Sequence, residues 1–135
     1  SAGGELPSAH VSLAQVYVDL GKMESAMQQY ARAAKLTPRD VDAWVNLSAT
    51  ARACGSLGRA VVAMRRATRL AAENADLHQR LGELYLQLHR RTGDRRHLAQ
   101  AVEAWREALR VDPGRGKIKD WLATYDQEPT TENGE

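Results

Sequence analysis

The stretch VDAWVNLSATARACGSLGRAVVAMRRATRLAAEN, residues 41–74, decides the architecture because its landmarks recur on both sides of it. Leu47 lies 34 residues after Leu13 and 34 before Leu81, and Ala51 stands between Tyr17 and Tyr85 at the same interval. The same step joins Gly21 to Gly55, Ala26 to Ala60, Tyr30 to Met64 and Ala33 to Ala67. Self-similarity at a period of about 20 to 50 residues marks stacked supersecondary units. Beyond Tyr85 the interval becomes 41, from Ala60 to Ala101, Met64 to Trp105 and Ala67 to Ala108. The seven added residues are close to two turns at about 3.6 residues each, so one extra turn on each helix of a hairpin keeps both apolar faces nearly in phase.

Each unit carries two amphipathic stretches. In the first unit Leu13, Tyr17 and Leu20 fall at i, i+4 and i+7 and so share one side of a helix. Gly21 then supplies a stop. The second stretch places Met23, Ala26, Met27, Tyr30, Ala33 and Ala34 inward and ends before Thr37-Pro38, where proline disfavours helix in the residue preceding it. Asp40, Asn74 and Asp94 stand where helices should begin, each able to accept an orphan backbone N–H. The predicted map is seven helices, near 7–20, 23–36, 40–54, 57–71, 75–91, 95–111 and 117–127. Residues 1–6 read as a flexible N-terminus or cloning scar, and 128–135 as a disordered acidic tail. A beginning at Ser1-Ala2-Gly3-Gly4 without methionine is expected of a scar, a processed product or a fragment.

Composition agrees with an all-α class. The 135 residues include 22 alanines and 15 leucines against 9 valines, 1 isoleucine and no phenylalanine, a balance that favours helix over strand. No apolar run approaches the roughly 18 residues of a spanning helix, so no transmembrane segment is expected and the chain reads as soluble. The single cysteine, Cys54, excludes an internal disulfide and paired-cysteine zinc ligation, and its expected role is packing. The net charge of +2 conceals an uneven distribution: residues 1–58 carry 5 basic and 5 acidic side chains, 59–119 carry 14 and 7, and 120–135 carry 0 and 5.

These residues resemble the tetratricopeptide repeat, whose signature is W-x₂-L-G-x₂-Y, then A-x₃-F, then P, over 34 residues. The first unit matches it with His10, Leu13, Ala14, Tyr17, Ala26, Tyr30 and Pro38; the second with Trp44, Leu47, Ser48, Ala51, Ala60 and Met64, with Ala72 in place of proline. The third matches with His78, Leu81, Gly82, Tyr85, Ala101, Trp105 and Pro113. Repeats are expected near 7–40, 41–74 and 75–115, within one domain over 7–127. Small residues recur where helices must approach: Ala14, Ser48 and Gly82; Ala26, Ala60 and Ala101; Ala33, Ala67 and Ala108. Ile118, Trp121, Leu122 and Tyr125 supply the stripe of a capping helix, and the family pattern is a right-handed superhelix of antiparallel helix pairs.

The resemblance implies protein recognition, with the first helix of each pair lining a concave groove for a peptide or partner helix. By it the binding positions are Val11, Ser12, Gln15, Val18 and Asp19 in the first unit, and Asp42, Val45, Asn46, Ala49 and Arg52 in the second. Asp76, Gln79, Arg80 and Glu83 complete the set. Members that grip acidic chaperone tails use two lysines, two asparagines and an arginine; here Asn46 and Arg80 match, but Val11 and Asp76 hold the lysine places and Gln15 an asparagine place.

No catalytic motif appears, and the chain reads as non-enzymatic, without cofactor or metal. His10, His78, His89 and His97 are dispersed and no third ligand accompanies any pair. A secondary basic patch gathers Arg90, Arg91, Arg95 and Arg96 around Thr92-Gly93-Asp94, with Arg65, Arg66 and Arg69 on the fourth helix. It is the basis of three alternatives, an acidic protein, a membrane surface or nucleic acid, the last disfavoured because no aromatics interleave the arginines. A repeat module from a larger enzyme or secretion protein is a further alternative, and self-association stays open. The sequence names no compartment, the cytoplasm being preferred.

Overall fold

The computed structural model describes residues 6–126. The expectations for 1–5, for the tail at 128–135 and for residue 127 as the last helical position lie outside the described residues. Those described form seven helices and no strand: α1 (Pro7–Asp19), α2 (Met23–Leu36), α3 (Val41–Ala53), α4 (Leu57–Leu70), α5 (Ala75–Thr92), α6 (Arg95–Val111) and α7 (Gly116–Tyr125). They divide into two compact units, one with α1–α4 that ends at Ala71 and one with α5–α7 that begins at Ala72.

Local chemistry sets the helix ends. Asp40 accepts from the Asp42 N–H at 3.0 Å, Asn74 from Leu77 at 3.3 Å and Asp94 from Arg96 at 2.9 Å, each satisfying a donor without an intrahelical partner. At the other end Gly21 and Gly55 take φ of 76° and 80°, a left-handed conformation that costs glycine little. The next amide reaches back to the last turn, Lys22 to Tyr17 O and Ser56 to Ala51 O at 2.8 Å each, so α1 and α3 end in the same Schellman geometry. The seven-residue insertion falls on both helices of one hairpin. α5 has 18 residues against 13 in α1 and α3, and α6 has 17 against 14 in α2 and α4.

In the first unit α2 packs between α1 and α3, and α3 between α2 and α4. Ala14, Ala26, Ala33, Ala60 and Ala67 are buried there, so the small residues of the repeat do lie at the helix crossings. Ala14, Ala26 and Tyr30 form one cluster, with Val11, Tyr17, Val18 and Leu47 against it. The buried Ser48 hydroxyl donates to the Ala60 carbonyl at 2.8 Å, tying α3 to α4.

Leu13 is 41% exposed and Leu20 64%, with only Tyr17 of their stripe partly buried. The reason is neighbour number: among the described residues α1 packs closely on α2 alone, whereas α3 has a helix on either side. A helix with one partner buries a narrow strip, here centred on Ala14.

In the second unit α5 and α6 form the lengthened hairpin and α7 lies across α6. Trp105 is 0% exposed, and a Cβ built on Gly82 would overlap its indole, so glycine is what lets α5 reach α6 here. Ile118 is fully buried, and the Trp121 and Tyr125 rings tilt against Trp105 at centroid separations of 5.1 and 6.0 Å. An Arg106–Asp126 ion pair at 2.6 Å adds a polar tie between α6 and the end of α7.

Candidate functional site

Helical geometry separates two faces of α3. Successive residues turn by about 100°, so Asp42, Val45, Asn46, Ala49 and Arg52 share one side while Trp44, Leu47, Ser48 and Ala51 share the other. The packing helices take the second set: Ser48 and Ala51 are buried, whereas Asp42, Ala49 and Arg52 are exposed and Val45 and Asn46 half-buried. On α1, Gln15 is exposed beside half-buried Val11 and Val18. The Gln15 amide donates to Asp19 at 3.3 Å and its oxygen receives the Tyr30 hydroxyl at 3.5 Å. Ser12 is exposed as well. No internal hydrogen bond engages the Asn46 amide or the Arg52 guanidinium among the described residues.

The corresponding face of α5 is organised by a residue that the repeat register does not mark. Arg115, in the turn before α7, donates to Asp76 at 2.8 Å, to Gln79 at 2.7 Å and to Asp112 at 3.0 Å. The Asp76 hydrogen bond holds its guanidinium still more firmly in the charged form than an ordinary arginine. Gln79 in turn donates to Glu83 at 3.3 Å. Three of the four expected positions on this helix are thus linked in one network, while Arg80 is exposed and makes none of these bonds. Nothing local in the sequence announces the link, since Arg115 meets residues 39 and 36 positions away.

The signature tryptophan position also has a shared polar role. Trp44 Nε1 donates to Pro38 O at 2.9 Å, and His78 Nε2 meets Ala72 O at 2.8 Å, each bond reaching six residues back. A carbonyl only accepts, so Nε2 of the buried His78 carries the proton. His78 therefore does the work of the indole N–H, which accounts for a histidine at that place.

The arginine tip is largely occupied by the fold. Arg90 donates to the Tyr125 hydroxyl at 3.0 Å, and Arg96 pairs with Asp94 at 2.8 Å. Hydrogen bonds from the Arg96 side chain and backbone hold the Asp94 carboxyl down to about 2. Arg91 and Arg95 are exposed but have interactions of their own. His89 Nδ1 bonds Asp94 O, His97 lies beside Gln100, and His10 meets Gln29 at 2.7 Å. Among the described residues no three His, Cys, Asp or Glu side chains gather as a metal site, and no helix is long and apolar enough to cross a membrane. Partial burial, with Glu24 second, pushes the Cys54 thiol up, so its environment does not favour a thiolate.

A family profile described as TPR repeat matches residues 6–50. Among solved structures the chain is similar to MamA, with 19% identity, a TM-score of 0.73, and coverage of 90% of this chain and 67% of that one. It is similar to the first TPR of Spaghetti (RPAP3) bound to the HSP90 peptide SRMEEVD, at 16% identity and a TM-score of 0.69, covering 90% of each chain. It is also similar to the Yersinia enterocolitica type III secretion chaperone SycD in complex with a peptide of the translocator YopD. That match has 18% identity and a TM-score of 0.64, over 89% of this chain and 86% of that one. No curated protein matches the chain in sequence.

Proposed function

We propose that this tetratricopeptide-repeat protein is a non-enzymatic interaction scaffold that binds a peptide or partner helix on the outward faces of its first helices, α1 and α3 in one unit and α5 in the other. It is read as one repeat domain over about 7–127. The observation that carries the proposal is the division of labour within each first helix. Small residues such as Ala14, Ser48 and Gly82 face the packing partner, which leaves Asn46, Arg52 and Arg80 with hydrogen-bonding groups that the fold does not use. A peptide backbone needs such donors and acceptors, and half-buried Val11, Val18 and Val45 offer shallow apolar contact beside them. Two structurally similar proteins hold peptides, which supports a peptide or protein ligand for this chain.

The chemistry also selects among peptides. Asp76 and Val11 stand where a carboxylate clamp would need lysines, and Arg115 is already committed to Asp76. An acidic C-terminal tail is therefore a poor ligand, and SRMEEVD should show no saturable binding at low salt. Peptides selected from a random displayed library are expected to bind the parent chain and to lose about tenfold or more affinity in an Asn46→Ala/Arg80→Ala variant, read by fluorescence anisotropy. Equal affinity of the two proteins for every selected peptide would place recognition on another surface.

A further inference from the structure

We infer that the cleft between α2 and α4, on the side of α3 opposite Asn46 and Arg52, is a second docking site, shaped for an acidic amphipathic helix of a partner protein. The cleft has a volume of about 580 Å³, within the roughly 300 to 1,000 Å³ range of ligand pockets. Met27 and Ala31 of α2, Trp44 and Leu47 of α3 and Val62 of α4 make its surface apolar. Val62 is 65% exposed, the most exposed of the large hydrophobic side chains described, so this face leaves apolar area uncovered in water.

The charged side chain that lines the recess is basic. Arg59 lines the cleft and Arg66 lies over the Trp44 ring at 5.1 Å. Arg59, Val62, Arg66 and Arg69 follow one another at spacings of 3, 4 and 3, a single row along α4. All three arginines are exposed, and among the described residues none has a carboxylate partner. Four arginines of the second unit differ: Arg96, Arg106, Arg110 and Arg115 each pair with a carboxylate of the chain.

Charge complementarity together with the recess therefore defines the partner. A helix whose apolar residues recur every three or four positions fills the cleft, while its carboxylates meet the arginine row in charge-assisted hydrogen bonds. Nucleic acid fits less well. The Trp44 indole is tied to Pro38 O and covered by Arg66, so it is not a free platform for a base. A lipid headgroup surface would meet the arginines without entering the recess.

The test uses the full chain and a fluorescent synthetic helix of about 18 residues, some five turns, with leucine on one face and glutamate elsewhere. Two control peptides carry glutamine for every glutamate or serine for every leucine. Saturable, salt-sensitive binding is expected, weakened about tenfold or more by Val62→Glu and by Arg59→Ala, and unchanged in Asn46→Ala/Arg80→Ala. Both control peptides should bind as weakly as the variants do. Val62 and Arg59 are exposed, so thermal unfolding that matches the parent separates lost binding from lost fold.

The proposal is overturned if the acidic peptide does not saturate, if Val62→Glu binds like the parent, or if either control peptide binds equally well. Loss of binding in the Asn46/Arg80 variant would move the peptide to the opposite face of α3 and likewise overturn it. So would binding of phosphatidylserine vesicles or duplex RNA that Arg59→Ala abolishes and Val62→Glu leaves intact, since the row would then act as a charged surface alone.

Discussion

The hairpins α3/α4 and α5/α6 solve one packing problem with opposite allocations of volume. In α3/α4 the first helix brings Ser48, whose hydroxyl is tied to Ala60 O, and the second helix supplies Met64 as the bulky residue. In α5/α6 the corresponding pair is Gly82 and Trp105, the smallest side chain against the largest. A repeat position thus specifies a shared volume rather than a residue type, and the two helices divide it between them. The second arrangement has less slack: a methyl group is already too much at Gly82, and Trp105 Nε1 is buried without an acceptor among the described residues.

Gly82→Ala tests this difference between the hairpins most severely. It should cost about 3 kcal/mol in urea unfolding, because the new methyl overlaps a fully buried ring held by Trp121 and Tyr125. Adding Trp105→Phe should return part of that loss, since the smaller ring frees volume and removes a donor that has no partner. A double variant less stable than either single change would mean that Gly82 and Trp105 do not share one space.

Ser48→Ala in the other hairpin should cost only about 1 kcal/mol. It removes one buried hydrogen bond and little volume, and the Ala60 carbonyl keeps its place in the α4 backbone ladder. A loss as large as that of Gly82→Ala would show that α3/α4 is the less tolerant hairpin, reversing the comparison.

The smallest expected effect is electrostatic and belongs to the tip of α5/α6. Asp94 has its carboxyl held at about 2 by Arg96, below the ordinary value of about 3.9. Between these values the unfolded chain binds the proton first, so the contribution is fully present above about pH 4 and is lost as pH falls through about 2. Solvent screening keeps it small. Asp94→Asn should therefore flatten this part of the acid limb in thermal melts, and an unchanged slope between pH 4 and 2 would remove the Arg96 pairing as its cause.

Much of the fold was legible because it is written in short-range chemistry repeated at fixed steps. The caps Asp40, Asn74 and Asp94, the left-handed Gly21 and Gly55, and the buried alanines need only local sequence and a period. The insertion was readable as well, since lengthening both α5 and α6 kept their faces together. What escaped depends on neighbours. Leu13 and Leu20 sit on a correct helical stripe, but a helix with one close partner leaves such a stripe exposed. Arg115 on Asp76 and Gln79 is a long-range contact made from a turn, where no periodicity applies. The cleft beside Val62 escaped for a related reason: α4 shows its apolar pattern, but which of its residues stay uncovered is a property of the packed unit.

Each unit is proposed to take a peptide on the first-helix face that packing leaves open, α3 in one and α5 in the other. Amide chemical-shift mapping with a library-selected peptide tests it most directly. Saturable shifts are expected at Asp42, Val45, Asn46 and Arg52 of α3 and at Gln79, Arg80 and Glu83 of α5, with Trp44 and Leu47 unmoved. Shifts confined to Arg90, Arg91, Arg95 and Arg96, or to the core side of α3, would contradict it.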